Sequence, residues 1–305
     1  MKTVKFPVIP NNRSTQEVLL EWASFCETDF SNRLSVLCQR IVADSRSIII
    51  LTGPSCAGKT TTAHKLIDDF SKEGKRVQVV SLDDFYRPRD ELIREANEAG
   101  KPIDFDSPST LNWTLLAEFV SDVLAHRPAN LPKFDFVEGK SVETRVIDPE
   151  NYDILLFEGI QGLYKPFLDL LPLGSYAAVF IHPDSGFKVG EKRLNSRELR
   201  LIRRMVRDRL FRSASPLFTL ELWEGVTSNE DRHIYPMAHM AHYHLDSFMG
   251  YEVCLFKDAC LDGISTLPES AKTVEVKHIE AVLKELPSFS AEHLIENSLL
   301  HEFVG

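Results

Sequence analysis

Eight consecutive residues in the first quarter of the chain read Gly53-Pro54-Ser55-Cys56-Ala57-Gly58-Lys59-Thr60. They match the pattern G-x-x-x-x-G-K-[ST], which forms a loop around a phosphate group. The β-branched apolar run at 47–52 predicts a buried strand before the loop, and apolar residues at helical spacing follow it over 61–67. Strand, glycine-rich turn and helix in this order predict a phosphate-binding loop.

The residue types in this loop suit phosphate binding. Gly53 and Gly58 allow backbone angles that other residues avoid, and they let the chain approach a phosphate closely. Amides at the helix start would donate to the anion. We expect Lys59 to neutralise the β- and γ-phosphates of ATP and Thr60 to ligate Mg²⁺. The predicted nucleotide-binding residues of the loop are Gly53, Ser55, Cys56, Ala57, Gly58, Lys59, Thr60 and Thr61.

Composition places the chain among soluble globular proteins. Its 305 residues are 43% hydrophobic and 26% charged, enough for one large or two ordinary domains. The five cysteines include no C-x-x-C pair, which favours free thiols over a disulfide framework or a zinc site. No apolar run approaches the roughly 20 residues of a membrane span, and residues 1–10 lack the apolar core of a signal peptide. We expect a cytoplasmic protein without a membrane partner; the sequence leaves a homo-oligomer open.

Charge is distributed unevenly along the chain. The formal net charge is −10, which makes nucleic-acid binding less favourable. Residues 188–212 nevertheless hold ten Lys or Arg against three Asp or Glu, a balance of +7, and the rest of the chain carries −17. Four arginines in this segment are spaced i, i+3, i+4, i+7 and share one helical face: Arg200, Arg203, Arg204 and Arg207. We expect these guanidinium groups to lack acidic partners and therefore to bind an anion.

Alternating strand and helix patterns predict an α/β protein with a mostly parallel sheet and helices on both faces. Further strands are predicted at 76–82, 152–157, 177–182 and 252–256, and helices at 15–43, 111–124, 217–223, 276–285 and 291–302. Residues 87–110 and 132–149 are predicted to be irregular. The predicted organisation is a helical extension over 1–45 and a main domain over 46–305.

Several motifs occur in an order that resembles the uridine kinase and phosphoribulokinase family of P-loop kinases. Besides the phosphate loop they are Ser81-Leu82-Asp83-Asp84-Phe85-Tyr86, Asp104-Phe105-Asp106-Ser107-Pro108, Phe134-Asp135-Phe136, Phe157-Glu158-Gly159-Ile160 and the arginine-rich run at 200–208. The resemblance covers roughly 46–260. It implies a P-loop NTPase fold in which an arginine-rich lid, about 188–215, closes over ATP.

The resemblance also implies roles for single residues. Asp83 would accept the proton of the attacking hydroxyl, although it could instead cap the following turn. Glu158 would hold Mg²⁺ together with Thr60, or bond the backbone of the phosphate loop. Asp106 would bind ribose hydroxyls, or cap a helix. The implied catalytic residues are Asp83, Lys59, Arg203 and Arg207; Arg200 and Arg204 would contact ATP, and Asp83, Tyr86, Asp106 and Phe134 the acceptor.

The implied reaction is ATP-dependent phosphorylation of the 5′-hydroxyl of a ribonucleoside, with uridine or cytidine favoured. Phe134 replaces the usual tyrosine and Gly139 a histidine, so we expect stacking surface and space at the base but no side-chain hydrogen bond. Two alternatives remain: a kinase for another small alcohol, such as ribulose 5-phosphate or pantothenate, and a nucleotide-binding regulator without transferase activity. His239, His242 and His244 match no standard metal signature and are expected to be structural.

Overall fold

The computed structural model describes residues 2–100 and 105–305, so Asp104 of the third motif lies outside the described residues. The strands are β1 (Thr3–Lys5), β2 (Ile48–Thr52), β3 (Val77–Ser81), β4 (Ala129–Asp135), β5 (Lys140–Ile147), β6 (Ile154–Glu158), β7 (Tyr176–His182), β8 (Gly186–Val189), β9 (Lys192–Leu194) and β10 (Tyr243–Asp246). The helices are α1 (Thr15–Ala43), α2 (Lys59–Lys72), α3 (Arg89–Ala99), α4 (Trp113–Leu124), α5 (Lys165–Leu168), α6 (Ser196–Phe211), α7 (Pro216–Asn229), α8 (Glu252–Ser265), α9 (Val274–Leu283) and α10 (His301–Val304).

A five-stranded parallel sheet forms the centre of the fold, with strand order β10-β7-β2-β6-β3. Side chains of a strand alternate between its two faces. In β2, Ile49 and Leu51 therefore join the core beneath α1, α2 and α6, while Ile48 and Ile50 join the core beneath α4. The predicted α/β fold, with a mostly parallel sheet and helices on both faces, is confirmed.

The N-terminal residues pack on this sheet. One 29-residue helix, α1, begins with a capping box in which Ser14 and Glu17 bond each other's backbone N–H. Phe30, Leu34 and Ile41 of this helix are buried in the core shared with β2. The segment before it contains strand β1, which pairs in parallel with β8, so residues 1–45 are not wholly helical. The boundary at residue 45 stays a prediction.

Three sequence-based assignments are wrong. The predicted strand at 252–256 is the start of α8, and the fifth strand of the sheet is β10 instead; a short run such as Val253–Phe256 reads as a strand or a buried helix equally well. Residues 87–110 contain α3, and residues 132–149 contain most of an antiparallel hairpin of β4 and β5. The tail helix predicted at 291–302 is a short turn at Ala291–His293 followed by α10.

The sheet register brings three loops to one edge. β6 pairs with β2 on one side and with β3 on the other, and Glu158 aligns with Leu51 and with Ser81. Ligands bind at the carboxyl edge of open α/β sheets, and the segments that follow these three strands all begin there. Among the described residues, no helix combines the length and the apolar character needed to cross a membrane.

Candidate active site

The phosphate loop joins β2 to α2 and has the shape that the motif predicts. A Cβ atom at Gly53 would lie 1.9 Å from the carbonyl oxygen of Ile181, so only glycine fits there. Gly58 has φ +90° and caps α2 without a side chain, and Cys56 also has a positive φ of +59°. Lys59 lies across the loop and donates from Nζ to the carbonyl oxygens of Gly53 and Pro54 at 3.1 and 3.0 Å. The loop amides therefore surround a concave site for an anion.

The expectation that the α6 arginines lack acidic partners is wrong. Arg200 forms a bidentate pair with Glu230 at 2.6 Å for each bond, and the two side chains are 0% and 2% exposed. Arg203 forms a second bidentate pair with Glu252, at 2.9 and 2.7 Å, with exposures of 0% and 1%. Burial lowers the pKa of Arg200, but Glu230 outweighs it and keeps the pKa above its ordinary value.

The other two arginines of this face share Asp208. Arg207 donates to its carboxylate at 2.7 Å, and Arg204 lies 3.4 Å from it. These acids come from three places, α6 itself, the turn after α7, and the start of α8, so local spacing along α6 reveals only Asp208. The arginine-rich face is a buried network of balanced charges, and an external anion is not needed to stabilise it.

The arginines also hold the phosphate loop from outside. Arg200 donates to the carbonyl oxygen of Ser55 and Arg203 to that of Cys56, each at 3.1 Å. Arg204 donates to the Ser55 hydroxyl at 3.1 Å, and the Ser55 N–H donates to Glu230 at 3.1 Å. Non-glycine residues at positive φ persist where surrounding contacts fix them. The pairs thus fix Ser55 and the strained Cys56 peptide, and sequence reasoning missed both Glu230 and Glu252.

Two carboxylates converge beside the loop. Asp83 follows β3, and Glu158 ends the adjacent β6, where its carboxylate accepts from the Ser81 hydroxyl at 2.7 Å. Burial raises the pKa of Asp83 to about 7; Glu158 raises it further, and Lys59 opposes the shift. Asp83, Glu158 and Lys59 therefore lie within electrostatic reach of one another. The neighbouring Asp84 is structural, since it accepts from the Phe134 N–H at 3.1 Å and fastens β4.

The acceptor residues predicted from the resemblance surround Asp83 on the side away from the loop. Tyr86 donates from Oη to the Phe105 carbonyl at 2.9 Å and accepts from Gln161 Nε2 at 3.1 Å. The Asp106 carboxylate is close enough to Asp83 to raise its pKa. Gln161 is fully buried, and its amide lowers the pKa of Asp83. Sequence reasoning missed Gln161, which no motif position signals.

Aromatic rings line the outer part of this cleft, formed by Tyr86, Phe134 and Phe136 with centroids 5.1 to 5.9 Å apart. Phe134 is 6% exposed and Phe136 56%, so Phe136 offers the larger accessible ring face. The expectation of open space at Gly139 is wrong. A Cβ atom there would lie 2.8 Å from the Cβ of Arg89, and φ is +69°; Arg89 also donates to the Phe136 carbonyl oxygen.

The residues present fit Mg²⁺ and a nucleotide phosphate. Thr60 is exposed at the start of α2, with its hydroxyl accessible. Glu158 stands across the sheet edge, and the glycine cradle would be filled by any Cβ at Gly53. Hard cations prefer oxygen ligands of this kind. The three histidines of the H-x-x-H-x-H run lie elsewhere, and His242 Nδ1 accepts from the Ala178 N–H at 3.0 Å.

Comparison with known proteins gives three similarities. Residues 48–252 match the sequence model of the Phosphoribulokinase / Uridine kinase family. Uridine-cytidine kinase C of Dictyostelium discoideum is 26% identical over 189 residues, which are 60% of this chain and 39% of that protein. The uridine kinase of Mycoplasma genitalium is 29% identical over 169 residues, 54% of this chain and 68% of that protein.

Among solved structures, a putative fructose transport system kinase from Silicibacter sp. TM1040 superposes with a TM-score of 0.48 at 17% identity, covering 69% of this chain and 98% of that one. The aligned part of this chain spans well under half of the Dictyostelium relative.

Replacing Asp83 by asparagine should stabilise the protein, free of nucleotide and metal, increasingly as pH rises from 4 to 8. The folded-state pKa of about 7 lies above the ordinary 3.8, so the unfolded chain loses its proton first and folded stability falls between these values. Asparagine does not titrate and avoids this loss. Thermal unfolding midpoints over pH 4–9 measure it, with the exposed Asp90→Asn as control. A difference from wild type that stays constant with pH contradicts the assignment.

Removal of the Arg203 side chain should destabilise the fold. Arg203→Ala leaves Glu252 buried without its partner, and we expect a loss of about 3–5 kcal/mol in the free energy of unfolding. Arg209→Ala, on the exposed side of the same helix, should change it by less than about 0.5 kcal/mol. Guanidinium denaturation of the two variants measures both. Equal stability of the two would show that Arg203 does not support the fold.

Proposed function

Because this chain belongs to the phosphoribulokinase / uridine kinase family, we propose that it transfers the γ-phosphoryl group of ATP to the 5′-hydroxyl of a ribonucleoside, with uridine or cytidine as favoured acceptor. The observation that supports this most directly is the position of Asp83, at one sheet edge with the phosphate loop and Glu158. The names of the two relatives support the nucleoside class. The protein would act on this small molecule in the cytoplasm, without nucleic acid.

The phosphate loop would hold the ATP phosphates. Lys59 would leave the carbonyl oxygens of Gly53 and Pro54 and neutralise the β- and γ-phosphates, while amides up to Thr61 donate to their oxygens. Mg²⁺, held by the Thr60 hydroxyl and Glu158, would neutralise phosphate charge when bound. The loop needs little rearrangement to do this, because its backbone is already fixed from outside.

Asp83 would orient the acceptor hydroxyl and take its proton. Phosphoryl transfer requires little covalent help from the protein, so correct placement of the hydroxyl is the main contribution of such a base. A pKa near the working pH suits a group that takes up and releases a proton. Lys59, which stabilises the charged carboxylate, links the acceptor side of the site to the phosphates.

The four arginines divide into two groups in this proposal. Arg200 and Arg203 are fully buried and act as positioning residues that hold the loop, so the direct catalytic role expected of Arg203 is withdrawn. Arg204 and Arg207 keep side-chain exposures of 10% and 11% and remain candidates for phosphate contacts. Guanidinium groups suit phosphate oxygens because they donate two parallel hydrogen bonds.

Asp106 would bind the 2′- and 3′-hydroxyls of the acceptor ribose. Its carboxylate lies near Asp83, as a ribose whose 5′-hydroxyl reaches Asp83 requires. Tyr86, Phe134 and above all the exposed Phe136 would stack on the base. A pure regulator would need no base for an acceptor hydroxyl, so Asp83 favours the transferase over that alternative. A kinase for another small alcohol stays the main competitor.

An acceptor panel tests the proposal. The turnover of uridine and cytidine should exceed that of ribulose 5-phosphate and pantothenate, and 2′-deoxyuridine should fall below uridine in kcat/KM because it leaves Asp106 partly unpaired. Asp83→Asn should keep the affinity for ATP and lose about 10²- to 10⁴-fold in kcat, whereas Asp90→Asn should resemble the wild type.

Phosphate transfer from ATP to ribulose 5-phosphate or pantothenate, with no rate for any nucleoside, would refute the nucleoside acceptor. Equal kcat/KM for uridine and 2′-deoxyuridine would remove Asp106 from the sugar site. Unchanged turnover of the Asp83 variant would remove the base.

A further inference from the structure

The C-terminal segment, residues 298–305, forms one wall of the phosphate loop. Leu299, Leu300 and Phe303 are fully buried. A Cβ atom at Gly58 would lie 2.7 Å from Leu299 Cδ1, so the leucine side chain packs directly on the loop glycine. The Phe303 ring lies 5.1 Å from the Arg203 guanidinium. This segment lies beyond the family match, which ends at residue 252, yet it is anchored against the centre of the site.

Glu302 of this segment occupies the start of helix α2. Its Oε2 accepts from the Thr61 N–H at 3.2 Å. Gly58 caps α2 without a side chain, and the first turn of α2 contains no acidic residue, so Glu302 supplies an anion that the helix itself lacks. Burial lowers the pKa of Arg207, but nearby anionic groups that include Glu302 raise it above its ordinary value. Glu302 thus lies between an amide donor and a guanidinium.

An amide at a helix start and a guanidinium are the groups that bind phosphate oxygens. The carboxylate of Glu302 is chemically a substitute for such oxygens. At the other end of the loop, Glu230 similarly accepts from the Ser55 N–H, but it is 2% exposed and fixed by Arg200. Glu302 is partly exposed, so its side chain can turn toward solvent while Leu299 and Phe303 keep the segment in place.

We propose that Glu302 is an affinity-determining residue of the nucleotide site: its carboxylate occupies the place of a nucleotide phosphate at the Thr61 N–H and must turn away before that phosphate binds. The inference rests on the proposed function in one respect, that the loop binds a nucleotide. A site that is competent for only a fraction of the time binds its ligand more weakly by that fraction. Two like charges at one donor are also strongly unfavourable.

The test is calorimetric titration of Mg-ADP into the full chain as wild type, Glu302→Gln and Glu296→Gln. Glutamine keeps the size of the side chain and removes the charge. Glu296 is an exposed acid just before the segment, so its variant controls for the same change in net charge. We expect Glu302→Gln to lower the Kd for Mg-ADP about tenfold, the value for a carboxylate present nine-tenths of the time, and Glu296→Gln to leave it unchanged. Thermal unfolding confirms that both variants fold.

An unchanged Kd in the Glu302 variant overturns the inference, and a raised Kd would show that Glu302 contributes a favourable contact to the nucleotide instead. Equal tightening in both variants would assign the effect to net charge and also overturns it. Neither result touches the proposed kinase activity. Failure of Mg-ADP to bind any of the three proteins would instead reject the loop as a nucleotide site, and the inference with it.

Discussion

Two buried ion pairs, Arg200–Glu230 and Arg203–Glu252, determine the shape of the phosphate loop. Removing charges from water is costly, so such pairs add little stability beyond what apolar residues would provide. Their consequence here is positional, because the same guanidinium groups donate to the carbonyl oxygens of Ser55 and Cys56. A non-glycine residue at φ +59° costs on the order of 1–3 kcal/mol and persists only under such constraint. The loop amides consequently point into the cavity before any anion arrives.

The acidic side of the site depends on the same economy of buried charge. Asp83 and Glu158 approach each other at the edge of the sheet, and burial with mutual repulsion raises the pKa of Asp83. An arrangement that weakens the empty protein is useful where a cation and phosphates arrive together to balance it. Lys59, which turns back onto the carbonyl oxygens of its own loop, is the cation that connects the two halves.

Local patterns were sufficient for part of this structure. The loop, the strands before Asp83 and Glu158 and the parallel sheet follow from short sequence signals of strand, turn and helix. Glu230, Glu252 and Glu302 could not be found that way, because they meet the arginines and the loop only through tertiary packing. The apolar run after Glu252 reads as a strand in isolation. Gly139 reads as open space because nothing in the sequence reveals that Arg89 packs against it.

The most direct test of this account is a pair of crystal structures, one of the nucleotide-free protein and one with Mg-ADP bound. If the ion pairs preform the loop, the backbone of Ser55 and Cys56 should coincide in the two. Arg203 should keep its bidentate contact with Glu252 and its 3.1 Å bond to the Cys56 carbonyl oxygen in both. Transfer of Arg200 or Arg203 from its acid to a nucleotide phosphate, with a changed loop backbone, would contradict the account.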